Sequence, residues 1–240
     1  VIPLEGSTFV VIGGSSGLGE GTARLARESG GRVTIVGRDD GRLRAAADRL
    51  GGVETASVDI ADAAAVDRFF AGHGPVDHVV VTAGEILRGG IKSVDLADAH
   101  RFAESRYWGP IHVARSATFT PTGSLTLTSG TAAWQPLAHS SLMFSVVGAV
   151  EPLTRALAVE LAPVRVNAIC PGFFRTERTV KSHGSEEAAD KIAEKYAALT
   201  VVKDHGRPED AAEAILSLVT NPYISGEVLR IDGGLGLTAP

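Results

Sequence analysis

The chain has 240 residues, 44% of them hydrophobic and 21% charged, which excludes disorder and favours one large domain, 1–240, over two. Its 23 basic residues against 28 acidic ones leave a net charge of −5, so the basic footprint that a nucleic acid or an anionic membrane requires is missing. No apolar run reaches the roughly 18 residues of a membrane span, a lone Cys170 excludes an internal disulfide and a cysteine-based zinc site, and nothing at the start reads as a signal peptide; the expected location is the cytoplasm.

Phe9-Val10-Val11-Ile12 is an apolar run of strand length that stops at Gly13-Gly14. The turn Gly13-Gly14-Ser15-Ser16-Gly17-Leu18-Gly19 follows, and Glu20 to Ser29 then reads as a helix. A strand-to-helix turn of this kind lets the backbone approach a pyrophosphate, while the helix N-terminus supplies free N–H groups and a positive dipole end. Gly13 to Gly17 also fit G-x-S-x-G, the nucleophile elbow of α/β-hydrolases. That elbow needs earlier strands for its oxyanion loop, and only 12 residues precede Gly13. The second run, Arg32 to Val36, ends at Gly37 and Arg38, and Leu43 to Leu50 is helical. Further strand runs are Val53 to Val58, Val76 to Val81, Ser124 to Thr128, Val164 to Ile169 and Val228 to Ile231. Helical spacing recurs between them, in Val66 to Phe70 and in Leu153-Leu157-Leu161, where Pro152 is expected to kink the helix. Continuous apolar strands alternating with helices predict a doubly wound, Rossmann-like α/β domain, with helices on both faces of a parallel sheet of about seven strands.

With its G-x-x-x-G-x-G spacing the chain resembles the short-chain dehydrogenase/reductase (SDR) family, and the resemblance runs nearly end to end. Thr82-Ala83-Gly84 looks like the family's N-N-A-G element without its asparagines, and Asp59-Ile60 like its adenine-contacting pair. Pro171-Gly172-Phe173-Phe174-Arg175-Thr176 looks like the P-G-x-x-x-T segment that clamps the nicotinamide amide. Gly206-Arg207-Pro208-Glu209-Asp210 and Ile231-Asp232-Gly233-Gly234 match its C-terminal signature. The resemblance implies that Gly13, Ser15, Ser16, Gly17, Leu18, Gly19, Asp59, Ile60, Ala83, Gly84, Pro171, Gly172, Phe174 and Thr176 hold a nicotinamide dinucleotide. A free ribose 2′-hydroxyl is usually held by an Asp or Glu at the end of the second strand. Gly37 offers no such acid, and Arg38 suits a 2′-phosphate, so NADPH/NADP+ is the expected cofactor.

The family's chemistry uses a Tyr, a Lys one helical turn on, a Ser and an Asn. Aligned on the helix from Gly148 to Leu157, the Tyr position falls on Met143, the Lys position on Val147, the Asn position on Arg106 and the Ser position on Gly130, with Ser129 adjacent. No Y-x-x-x-K occurs in the chain. Ser129 and His139 are the candidates to act in place of the Tyr, and Arg106, Trp134, Met143, Val147 and Phe173 are expected to line the substrate pocket. Without the Tyr, hydride transfer to an imine or another activated C=N, C=C or C=O is the leading expectation. A carbonyl reductase using Ser129, His139 or water, and a silent NADPH-binding protein, are the alternatives. His73, His78 and His183 read as solvated turn residues, and 181–187 as a polar lid over a small-molecule substrate. The family habit of forming homodimers or homotetramers extends to the apolar stripes of 95–119 and of the helix ending near Leu161.

Overall fold

The computed structural model describes residues 1–87, 89–134 and 138–238. Among them a seven-stranded parallel sheet runs β3-β2-β1-β4-β5-β6-β7. The strands are β1 (Thr8–Ile12), β2 (Arg32–Gly37), β3 (Glu54–Ser57), β4 (Val76–Val81), β5 (Phe119–Thr128), β6 (Arg165–Pro171) and β7 (Val228–Ile231). The order reverses direction between β1 and β4, so a crevice opens there at the carboxyl ends of the strands.

The helices are α1 (Gly17–Glu28), α2 (Asp40–Arg49), α3 (Ala63–His73), α4 (Leu96–Ala103), α5 (Gly109–Ser116), α6 (Ser141–Glu160), α7 (Glu177–His183), α8 (Glu186–Leu199), α9 (Pro208–Thr220) and α10 (Leu235–Thr238). A π turn, Glu104–Trp108, joins α4 to α5. Strand residues alternate between two cores. Phe9, Val11 and Ile35 pack with Ala23, Leu43 and Ile215 on one face, while Val10, Ile12 and Val79 pack with Val66, Val113 and Val150 on the other. Burial on both faces explains why these strands are unbroken apolar runs.

The structure departs from the sequence reading at several points. β5 begins at Phe119, five residues before the apolar run, because Pro121 and Gly123 resemble a turn yet lie on the strand, beyond a register shift between Val76 and His78. α6 runs unbroken through Pro152, whose fourth preceding residue is Gly148. At 20 residues and a mean hydropathy of 1.5, α6 is long and apolar enough to cross a membrane by length and composition alone, although it carries the buried Glu151 and packs against the sheet.

His78 is not solvated. It is 1% exposed in β4, with Nδ1 2.9 Å from Ser124 Oγ, the Phe9 ring 4.8 Å away and no partner for Nε2. Burial pushes its pKa down to about 4 against the pull of Asp77, with Arg165 adding to the depression. The unfolded chain takes up this proton near pH 6.5 and the folded chain only near 4, so stability is complete above pH 6.5 and drains away as pH falls toward 4. The expected loss from this group is about 3 kcal/mol. Urea unfolding of parent and His78→Leu at pH 7 and pH 5 checks it. The variant should lose less between the two, and an equal loss refutes the role of His78.

Candidate functional site

β1 delivers the chain straight into the glycine turn, where the backbone folds back on itself. Gly13 has φ +93° and Gly17 φ +56°, in the left-handed region that favours glycine. A Cβ on Gly19 would lie 2.3 Å from the Gly13 carbonyl oxygen, and one on Gly13 would lie 2.6 Å from the Ala83 amide nitrogen. The turn is therefore packed backbone to backbone against the end of β4, where the Thr82 and Ala83 amides both donate to the Ile12 carbonyl.

α1 begins at Gly17 with Ser16 in the N-cap position, and no side chain caps it. This contrasts with α2, α3, α4 and α8, whose first amides donate to Asp39, Asp62, Asp95 and Ser185. The open N-terminus keeps N–H donors and the positive dipole end for an anion.

The crevice forms one cleft of about 930 Å³. The glycine turn, Arg38, Asp59, Ile60, Ala83 and Gly84 form its nucleotide end, and Pro171, Gly172, Phe174 and Thr176 line it from the end of β6. Ser129, Arg106, Met143 and Phe173 share the same cleft. The residues expected to hold a dinucleotide are thus gathered around one cavity, and its packed glycines, open helix end and arginines fit a phosphorylated cofactor.

Sequence reasoning missed part of the charge. Arg42 and Arg178 also line the cleft, and they were illegible because an arginine on a polar helix looks like any solvated one. Arg38 Nη1 donates to Glu85 Oε1 at 2.7 Å and lies 3.9 Å from Asp59 Oδ2, while Arg42 Nη2 donates to Ser16 Oγ at 3.1 Å. Arg178 Nη1 donates to the Gly84 carbonyl at 3.2 Å and Arg106 Nε to the Glu85 carbonyl at 2.9 Å. Arg106 sits on the π turn; burial and then Arg178 push its pKa down to about 10, so it stays charged at neutral pH. The guanidinium of Arg178 is also depressed, by burial first and then by Arg42 and Arg38. Arg38 is already answered by Glu85 and Asp59, and the cluster as a whole has the charge to take an anionic ligand.

At the far end, Met143 from the first turn of α6 faces the cleft, and Val147 lies buried behind it against Leu87 and Phe102. Val147 is therefore core rather than pocket wall. Trp134 also falls outside the lining: it is half exposed, under the Arg230 guanidinium at 4.3 Å, with Nε1 donating to Glu151 Oε1 at 2.8 Å. His139 adopts φ +64° where the chain turns into α6, and it borders a separate recess with Gly90, Ile91 and Phe144. The structure does not bring it to Ser129. His183, placed in α7, does line the cleft, its Nδ1 2.8 Å from the Thr179 carbonyl. The stretch read as a lid forms the end of α7 and the start of α8, and Tyr196 of α8 stacks on Phe173 with centroids 4.4 Å apart. Glu151, the buried carboxylate behind Ser129, gave no sequence signal because a carboxylate on a helix that also carries Arg155 and Glu160 looks like any solvated one.

A family model described as enoyl-(acyl carrier protein) reductase matches residues 12–236. The short-chain dehydrogenase/reductase ATR9 of Stachybotrys chlorohalonatus is 33% identical over 96% of this chain and 97% of its own length. The structure of the MalC reductase/Diels-Alderase of Malbranchea aurantiaca superimposes with a TM-score of 0.90 at 30% identity, covering 98% of each chain. A small-chain dehydrogenase solved in complex with NADPH superimposes with a TM-score of 0.81 at 30% identity, over 97% of this chain and 100% of that one.

Proposed function

The chain belongs to the short-chain dehydrogenase/reductase family, and from that premise we propose an NADPH-dependent reductase whose substrate carries an activated double bond, a C=N such as an imine first, or otherwise an activated C=C or C=O. One observation carries the reading. Met143 faces the cleft and Val147 lies behind it where the resemblance puts a proton-donating Tyr and its Lys.

The bound cofactor supplies a hydride at its nicotinamide. Gly13 to Gly19 and the open end of α1 hold its phosphates, Arg38 and Arg42 favour a 2′-phosphate, and Pro171 to Thr176 orient the nicotinamide. Reducing a neutral ketone builds an alkoxide that a donor must stabilise. The thioether of Met143 has no proton to give, and neither does Val147. An acceptor already protonated, or one whose proton ends on a carbon that solvent can reach, makes no such demand. Met143 and the Phe173–Tyr196 stack give that end of the cleft apolar surface for such a substrate.

A carbonyl reductase with a substitute acid is the second reading, favoured by the Tyr196 phenol, which borders the same cleft. NADPH consumption on matched cyclic imines and ketones separates the two. The expected result is turnover of imines without ketones, with Met143→Tyr/Val147→Lys gaining ketone reduction; Met143→Tyr alone serves where the Val147→Lys change, made at a buried position, impairs folding. Ketone turnover by the parent that disappears in Tyr196→Phe establishes the second reading instead. A homodimer or homotetramer in the cytoplasm completes the proposal, and the apolar outer surface of α6, where Val159 is 80% exposed, supports association.

A further inference from the structure

The floor of the cleft beside Met143 has a polarity that the missing Tyr does not explain. Ser129, 3% exposed at the end of β5, lines the cleft, and its Oγ–H donates to Glu151 Oε1 at 2.9 Å. Glu151 is 8% exposed, and the same oxygen receives the Trp134 indole N–H. An ionised carboxylate only accepts, and a serine hydroxyl has a single proton to donate. With that proton committed to Glu151, Ser129 turns lone pairs toward the cleft.

The neighbours reinforce this assignment. Cys170, buried against the pair, has its thiol pushed up to about 11 by burial first and the Glu151 charge second. A hydrogen bond from Ser129 and the Arg230 charge pull the other way, yet the thiol stays neutral at working pH, which leaves the Glu151 carboxylate as the stronger acceptor for the serine proton. Arg230 lies over the Trp134 ring, and among the described residues no ion pair joins it to Glu151. Arg106 and Arg178 are held on the Glu85 and Gly84 carbonyls at the nucleotide end. The Glu151 carboxylate is thus committed by hydrogen bonds to Ser129 and Trp134, with the Arg230 guanidinium over the Trp134 ring rather than on the carboxylate itself.

We propose that Ser129 and Glu151 make the cleft floor a hydrogen-bond acceptor that selects a protonated imine, binding its N–H through the serine oxygen and disfavouring neutral carbonyl compounds. Ser129 touches the substrate, and Glu151 is a positioning residue that keeps the hydroxyl turned away from it. The inference deepens the imine reading and rests on it for the reaction, though not for the binding preference. The step balances without a protein acid. The iminium carbon takes the hydride and its electron pair, the C=N π pair moves onto nitrogen and cancels its charge, and the nitrogen keeps its proton as a neutral amine.

The test is binding to the full chain saturated with NADP+, using two ligands of one shape. 1,2,3,4-Tetrahydroisoquinoline, cationic at neutral pH, carries the same N–H+ as a protonated imine, and isochroman places a neutral ring oxygen there. The parent is expected to bind the ammonium at least about tenfold more tightly. Glu151→Gln, which keeps volume and removes charge, should shrink that ratio to about twofold or less by weakening the ammonium alone. Ser129→Ala should do the same, and it carries the test where Glu151→Gln does not fold. Equal binding of the two ligands by the parent overturns the proposal, as does a Glu151→Gln variant that weakens both alike, which is what a merely structural role produces. Imine turnover without ammonium preference leaves the reductase reading standing and sinks this one, and ammonium preference without imine turnover does the reverse.

Discussion

Gly19→Ala is expected to lose on the order of a hundredfold in NADPH affinity and about 1–3 kcal/mol of stability together. The added methyl would sit 2.3 Å from the Gly13 carbonyl oxygen, 2.5 Å from Thr82 Oγ1 and 2.8 Å from the Gly13 carbonyl carbon. Two of these are backbone atoms that no rotamer change can move aside. Relief comes only by pushing α1 away from the turn, and that displaces the amides aimed at the pyrophosphate. The control is Gly72→Ala in α3, where nothing lies within 4 Å of an added Cβ and the helix gains from the substitution. Fluorescence titration with NADPH and urea unfolding of both variants check the prediction. A Gly19→Ala protein that matches the parent in both would show that the turn is not packed as described.

The second large effect concerns which dinucleotide is taken. Removing Arg38 and Arg42 together is expected to weaken NADPH by about a hundredfold or more while changing NADH by only a few-fold. Arg38 stands one residue past the end of β2, and Arg42 reaches back from α2 to Ser16 in the phosphate turn. Each charge-assisted bond to a phosphate contributes about 1.5–3 kcal/mol, so two lost contacts suffice for that factor. There is a rival on the spot. Glu85 and Asp59 both approach Arg38, and a carboxylate at that place can accept from a ribose hydroxyl instead. Dissociation constants for both dinucleotides, in parent and double variant, decide between them. A parent that prefers NADH, or a variant that loses both equally, assigns the site to the carboxylates.

The sheet and the nucleotide end of the cleft were legible because they rest on local rules. A strand buried on both faces has to be apolar throughout, and a turn that meets a phosphate with its backbone has to be glycine. The substrate end depends on contacts between distant segments, so less of it could be read. Met143 was placed in the cleft by alignment, yet Val147, one turn on, is core, because α6 presents only its first turn there. Trp134 looked like pocket wall and instead caps Glu151 from outside, and a left-handed residue at His139 turns that side chain toward Gly90. His78 is hidden for a related reason. A histidine within an apolar run reads as polar, whereas Ser124 on the next strand gives one ring nitrogen a partner and lets the ring stay buried. Glu151, Arg42 and Arg178 carry no local mark, since each is a charged residue on a helix and only the tertiary structure shows what it faces.

Asp39, Asp62, Asp95 and Ser185 finish their helices with oxygens of the chain itself, and α1 has no such partner. The anion that completes α1 arrives from solution, so the folding equilibrium of this protein contains the nucleotide as a reactant. At a hundredfold excess over its dissociation constant, a ligand adds about 2.7 kcal/mol to the folded state. That is a large share of what holds a domain together. Without the dinucleotide the chain is thus expected to be not only idle but less stable, and its melting temperature should rise with nucleotide concentration.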